Sequence, residues 1–93
     1  MKATLLIFPR AEAEMLELPW RDLNHIMETL EFLCDFPRGA QTAGLEDAPE
    51  IRRAVSGNYL LYYRYNDESE EILLYTVRHG RRRPPELSEI LPE

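Results

Sequence analysis

The chain has one cysteine, one lysine and two histidines among its 93 residues, and each scarcity closes off a class of chemistry. A lone Cys34 excludes an intrachain disulfide and any cysteine metal cluster, and nothing points to an oxidising compartment. Cys34 lies between Leu33 and Asp35 on an apolar helical stripe, where it reads as a small buried hydrophobe. His25 and His79 are 54 positions apart with no third ligand in a recognisable pattern, so no metal site is expected. No apolar run approaches the ~18 residues that a membrane span requires. The N-terminal run, residues 3–8, is short, follows a single lysine and meets Pro9 and Arg10. Lacking the long apolar region and small-residue cleavage site of a secretory signal, it reads as a strand of a cytoplasmic protein.

What is present is enough for one domain, residues 1–93, with a thin core, since a chain of this size buries only about 60% of its unfolded surface. A hydrophobic content of 44% takes it out of the disordered range. The net charge is −6, but the acids are uneven: residues 1–50 hold ten Asp and Glu against four Lys and Arg, and the second half is balanced at seven each. A globally acidic protein is repelled by nucleic acid at long range, which argues against a general or sequence-specific DNA binder. A local basic patch can still grip a phosphate or a carboxylate.

Hydrophobic spacing divides the chain into elements. Residues 2–8 are apolar, partly β-branched and stopped by Pro9, as in a buried strand. Ala11, Met15 and Leu18 then recur at helical spacing, with Glu12, Glu14 and Glu17 mostly on the other side, until Pro19. From Trp20 a second stripe runs through Leu23, Ile26, Met27, Leu30, Leu33 and Cys34, predicting about four turns of helix closed by Pro37 and Gly39. Trp20 and Met27 are expected in the core because they lie on that stripe. Residues 37–49 are loop-like, with two glycines and two prolines. Three strands follow, at 51–55, 59–65 and 72–78, with turns at 56–58 and 66–70. Such short connections permit only an antiparallel meander. The order is β-α-α-β-β-β, an α+β fold in which a helical hairpin packs on one face of a small antiparallel-rich sheet and leaves the other face partly open. Residues 86–90 suit one further helical turn.

Tyr59, Leu61, Tyr63 and Tyr65 alternate onto one sheet face and Leu60, Tyr62 and Arg64 onto the other, and either face suits the helices. The tyrosines read first as aromatic packing. The arginines at Arg78, Arg81, Arg82 and Arg83 are less ordinary: four guanidinium groups within six residues repel one another unless anions sit against them. Contact with a target or partner, intrachain pairing with Glu86 or Glu89, and a solvated charged end are the competing readings. His79 stands beside them, where neighbouring positive charge favours a neutral ring.

The stretch Arg52-Arg53-Ala54-Val55-Ser56-Gly57-Asn58-Tyr59-Leu60-Leu61-Tyr62-Tyr63-Arg64, followed by an apolar strand and Val77-Arg78-His79-Gly80-Arg81-Arg82, resembles the signature of the RelE/ParE toxins. In that family an arginine strand, a Gly-x-Tyr-x-x-x-Tyr-Arg strand and a strand ending in His-Gly-Arg-Arg follow one another at these distances. Pro37-Arg38-Gly39 is similar to the family's Pro-x-Gly loop. The likeness covers residues 3–83. It implies the toxin half of a type II toxin–antitoxin pair, of the kind found in bacterial plasmid stabilisation systems, that inhibits growth and is neutralised by a cognate antitoxin. It implies no cofactor, and it marks Arg64, Arg78, His79, Arg81, Arg82 and Arg83 as the residues to meet a target.

The resemblance also implies two possible activities. One branch of the family cleaves messenger RNA on the ribosome without metal, and the other binds DNA gyrase and blocks it. Metal-free RNA cleavage needs a group to activate the 2′-hydroxyl, cations for the phosphorane and an acid for the leaving oxygen. This chain has no lysine after Lys2, and the position after Tyr59, where the family's nucleases often carry arginine, is Leu60. The aromatic residue that some of them hold beyond the last arginines is replaced by the neighbourhood of Pro84, Pro85 and Glu86. Arg82 is the one cation that matches well. The expected activity is therefore ParE-like, with RelE-like cleavage or a relic that only binds its antitoxin as the alternatives, and no catalytic residue is assigned.

Overall fold

The computed structural model describes residues 2–91. It contains β1 (Thr4–Ile7), α1 (Pro9–Leu16), α2 (Trp20–Asp35), β2 (Gln41–Thr42), β3 (Arg52–Ser56), β4 (Tyr59–Asn66), β5 (Glu71–His79) and α3 (Leu87–Ile90). One sheet runs in the order β1-β5-β4-β3-β2. The helical hairpin returns the chain so that β1 lies parallel to β5, with Leu5 opposite Ile72, and every other pairing is antiparallel. The β-α-α-β-β-β order is the one the spacing predicts, and β2 is added within the segment read as loop. Two residues are too few to carry a period.

Local chemistry explains the boundaries. Pro9 opens α1 at a position where a backbone N–H has no helical partner, and Pro19 stands just before α2. Gly57 has φ +58° at the first position of the two-residue β3–β4 turn, a conformation that glycine adopts without steric cost. In the β4–β5 loop the Asn66 side-chain oxygen accepts the N–H groups of Glu68 and Ser69, and Glu70 takes the left-handed conformation.

The main core lies between the helices and one sheet face. Ala11 and Met15 of α1 and Ile26, Leu30, Leu33 and Cys34 of α2 meet Ala54, Leu61, Tyr63, Ile72, Leu74 and Val77. The Leu61 and Tyr63 face of β4 is thus the covered one. Trp20 and Met27 depart from expectation, remaining 75% and 42% exposed. A periodic stripe marks one side of a helix, but the sheet beneath covers only part of its width, and Trp20 is the first residue of α2. The opposite sheet face also differs from expectation. Ala48 and Ile51 of the long loop and Ile90 of α3 close over Tyr62 and Tyr75, with Leu60, Leu73, Leu87 and Leu91 around them. Two tyrosine rings and several leucines leave too much apolar surface for water, and a tail with apolar residues at 87, 90 and 91 covers it.

A bulge in β5 decides what each face carries. Tyr62 pairs with Thr76 but Tyr63 with Leu74, so Tyr75 has no partner of its own. Before the bulge, Ile72 and Leu74 point to the helices; after it, Val77 and His79 do. One inserted residue reverses the alternation and turns Arg78 away from the helices, toward α3.

Candidate functional site

The end of β5 and the turn after it gather most of the residues that the sequence singles out. Arg78 lies opposite Leu60 and is only 3% exposed. Its guanidinium donates to the Glu89 carboxylate and, at 3.1 Å, to the Arg83 carbonyl, while Nε has no partner. Arg83 pairs with the same carboxylate at 3.0 Å. Glu89 Oε1 also accepts the Glu86 N–H at 3.2 Å, closing a capping box over α3. That backbone hydrogen bond first, then Arg83 and Arg78, hold the Glu89 carboxyl at about 2, against 4.5 ordinarily.

His79 accepts the Arg81 N–H at Nδ1 (3.1 Å), and its carbonyl accepts the Arg82 N–H (3.0 Å). Its ring meets Tyr59 edge-on, with centroids 5.3 Å apart. The Tyr59 hydroxyl in turn donates to Asp22 at 3.2 Å; burial and that carboxylate push it above its ordinary pKa. The imidazole is thereby tied into a turn, with Nδ1 occupied. Arg81 and Arg82 are exposed, and among the described residues neither is in an ion pair.

The arginine cluster is therefore split. Arg78 and Arg83 take the intrachain pairing with Glu89 that the sequence allows, and Arg78 offers nothing to a surface approaching from outside in this conformation. Among the described residues, Arg81 and Arg82 take no part in that pairing. Arg64 shares the sheet face of Arg78 but lies opposite Leu73, four residues along β4 from Leu60, or about 13 Å at strand spacing. There it acts against the burial that pushes the Tyr75 hydroxyl up. It is not part of the turn. Arg53, which the sequence reading did not select, does join it: its register opposite Tyr62 places it beside Leu60, His79 and Arg82 around a cleft of about 210 Å³. Strand register was the signal, and it is invisible until the β3–β4 pairing is known. Arg52, by contrast, is spent on the Ala40 carbonyl at 2.7 Å.

This cleft can hold an anionic group between Arg53 and Arg82, with the exposed Arg81 next to Arg82 in the chain. Leu60 and the buried Tyr62 add apolar walls, and Arg78 and Arg83, both paired with Glu89, complete the lining. A larger groove of about 660 Å³ runs elsewhere, between α2 and the edge of β3, lined by His25, Phe32, Ala40 and Val55. Phe32 and Val55 are more than half exposed there, and β2 pairs with β3 only as far as Arg53.

The fold recurs in solved toxin structures. In the toxin–antitoxin complex RelBE2 from Mycobacterium tuberculosis, one chain is 25% identical, with 85% of this chain and 99% of that chain aligned at a TM-score of 0.75. The isolated E. coli RelE toxin is 21% identical over 86% of each chain at a TM-score of 0.73. The archaeal RelE–RelB complex from Pyrococcus horikoshii OT3 gives 18% identity, 88% and 99% coverage, and 0.67. No curated protein matches the chain in sequence. The family model described as the ParE toxin of the type II toxin–antitoxin system, parDE, matches residues 7–84. With most of its length matched, the chain belongs to the ParE toxin family, within the RelE/ParE superfamily of type II toxin–antitoxin toxins.

Proposed function

We propose that this protein arrests growth by binding a protein target such as DNA gyrase through the turn that follows β5, acting in the cytoplasm until a cognate antitoxin neutralises it. The observation that carries this reading is the makeup of the turn: among the described residues Arg81 and Arg82 are exposed and in no ion pair, while the adjoining cleft sets Leu60 and Tyr62 beside Arg53. Two guanidinium groups beside an apolar wall suit an acidic patch on a folded partner. His79, the natural general base, has Nδ1 engaged by the Arg81 backbone.

Two of the solved structures with this fold are toxin–antitoxin complexes, which supports an antitoxin partner here. The sheet face opposite the helices, expected to be partly open, is covered by α3 and the long loop. The groove beside α2, with Phe32 and Val55 exposed and the β3 edge unpaired beyond Arg53 among the described residues, suits an apolar segment that folds on binding.

A second reading, RelE-like cleavage of ribosome-bound messenger RNA, draws on the cleft that joins Arg53, His79 and Arg82. Purified protein separates the two. On the first reading it inhibits DNA supercoiling and leaves messenger RNA on translating ribosomes intact; codon-positioned cuts with normal supercoiling select the second. Activity in neither assay, with normal growth at high soluble expression, identifies a relic.

A further inference from the structure

The turn from Gly80 to Glu86 has no regular secondary structure, and the guanidinium groups within it and just before it repel one another. Two backbone hydrogen bonds hold its start, Gly80 N–H to the Asn58 carbonyl at 2.7 Å and Arg82 N–H to that of His79 at 3.0 Å. Its far end is held by two side chains, Arg78, which donates to the Arg83 carbonyl at 3.1 Å, and Glu89. Glu89 gives Oε2 to Arg78 and Oε1 to Arg83 and to the Glu86 N–H. Among the described residues it is the only carboxylate in an ion pair with the cluster. Helix α3, which carries it, has four residues, too few to persist without tertiary contacts.

We propose that Glu89 is a positioning residue: by drawing Arg78 and Arg83 to the sheet side, it leaves Arg81 and Arg82 as the pair of guanidinium groups presented outward. The functional half of this inference rests on the reading that Arg81 and Arg82 meet the target. The structural half stands on the shared carboxylate alone. Without Glu89, Arg78 keeps only the Arg83 carbonyl, Arg83 swings free, and the turn is no longer tied to α3. Three mobile arginines then replace two fixed ones, and the target sees no defined pair.

The test compares wild type with Glu89→Ala and with the double variant Arg78→Leu/Glu89→Ala, which removes the buried charge together with its partner and so protects the fold. Trypsin reads the turn directly. It can cut after Arg81 and Arg82, whereas the bond between Arg83 and Pro84 resists it. All measurements are made at a temperature where circular dichroism shows every variant folded. Glu89→Ala is expected to be nicked in the turn about tenfold faster than wild type, and to need about tenfold more protein for growth arrest or target inhibition. The double variant regains the wild-type melting temperature but neither the resistance to trypsin nor the potency. A merely structural Glu89 predicts that all three recover together, and that result overturns the proposal, as does unchanged nicking in a folded Glu89→Ala. If Arg81→Ala/Arg82→Ala stays fully toxic, the target reading fails by itself, while the nicking rates still decide whether Glu89 fixes the turn.

Discussion

The carboxylate of Glu14 accepts the backbone N–H of Val77 at 3.0 Å and the Thr76 hydroxyl at 2.7 Å, with the same oxygen. Strand β1 stops opposite Leu74, so the edge of β5 beyond that point lacks a neighbouring strand, and α1 supplies the missing acceptor from its own side chain. Glu14→Ala leaves two buried donors without a partner and is expected to lower stability by about 1–3 kcal/mol. Chemical denaturation of Glu14→Ala beside Glu12→Ala, a neighbouring exposed acid, measures this. Equal effects of the two would show that Glu14 contributes nothing through the bulge.

Acid should unfasten α3. The Glu89 carboxyl is held at about 2 in the folded protein and lies at 4.5 ordinarily, so its ionised form stabilises the fold above pH 4.5. That contribution fades as pH falls from 4.5 through about 2. Thermal melts of wild type and Glu89→Gln should differ by a constant amount near neutrality and converge in that acid range. A gap that persists at pH 2 would assign the effect of the substitution to shape and not to charge.

Trp20 and Leu30 lie on one helical stripe but should respond very differently to truncation. Trp20 is 75% exposed and Leu30 fully buried. Trp20→Ala is expected to change stability by no more than about 0.5 kcal/mol, and Leu30→Ala to cost roughly 2–5 kcal/mol. As the only tryptophan, Trp20 also reports on itself. Its fluorescence in the native state should be quenched by iodide nearly as well as in the unfolded chain, and strong protection would contradict the exposed placement.

Replacing Arg81 and Arg82 together with Ala should abolish growth arrest while the melting temperature hardly moves, since exposed substitutions outside ion pairs usually cost within about 0.5 kcal/mol. Toxicity on induced expression and a thermal melt of the same variant check both halves. Full toxicity with unchanged stability would reduce the turn to a solvated strand end.

Much of the fold is legible along the chain because helical and strand periods are local. The stripe from Trp20 to Cys34, the prolines at its entrance and after its exit, and the three β runs with their glycine and asparagine turns each predict an element within two residues of where it lies. The Arg52–Arg64 and Val77–Arg82 segments likewise carry the family resemblance that the ParE toxin match bears out. Missed features are those set by a neighbour. β2 is too short to show a period, and the exposure of Trp20 and Met27 depends on how far the sheet extends under α2.

The site shows the same division most sharply. Sequence alone determined that four arginines cluster after the last strand, that Glu86 and Glu89 are near enough to pair with them, and that Leu60 stands where a cation is often found in the family's nucleases. Which arginines face outward was decided by the bulge between β4 and β5. Uninterrupted alternation would put Arg78 on the same face as Ile72 and Leu74, against the helices, and the unpaired Tyr75 moves it to the other face under Glu89. Tyr75 and Thr76 are both good strand residues, so neither announces the bulge. It exists because β4 and β5 pair in a register that one extra residue must satisfy, and register is a property of two strands together.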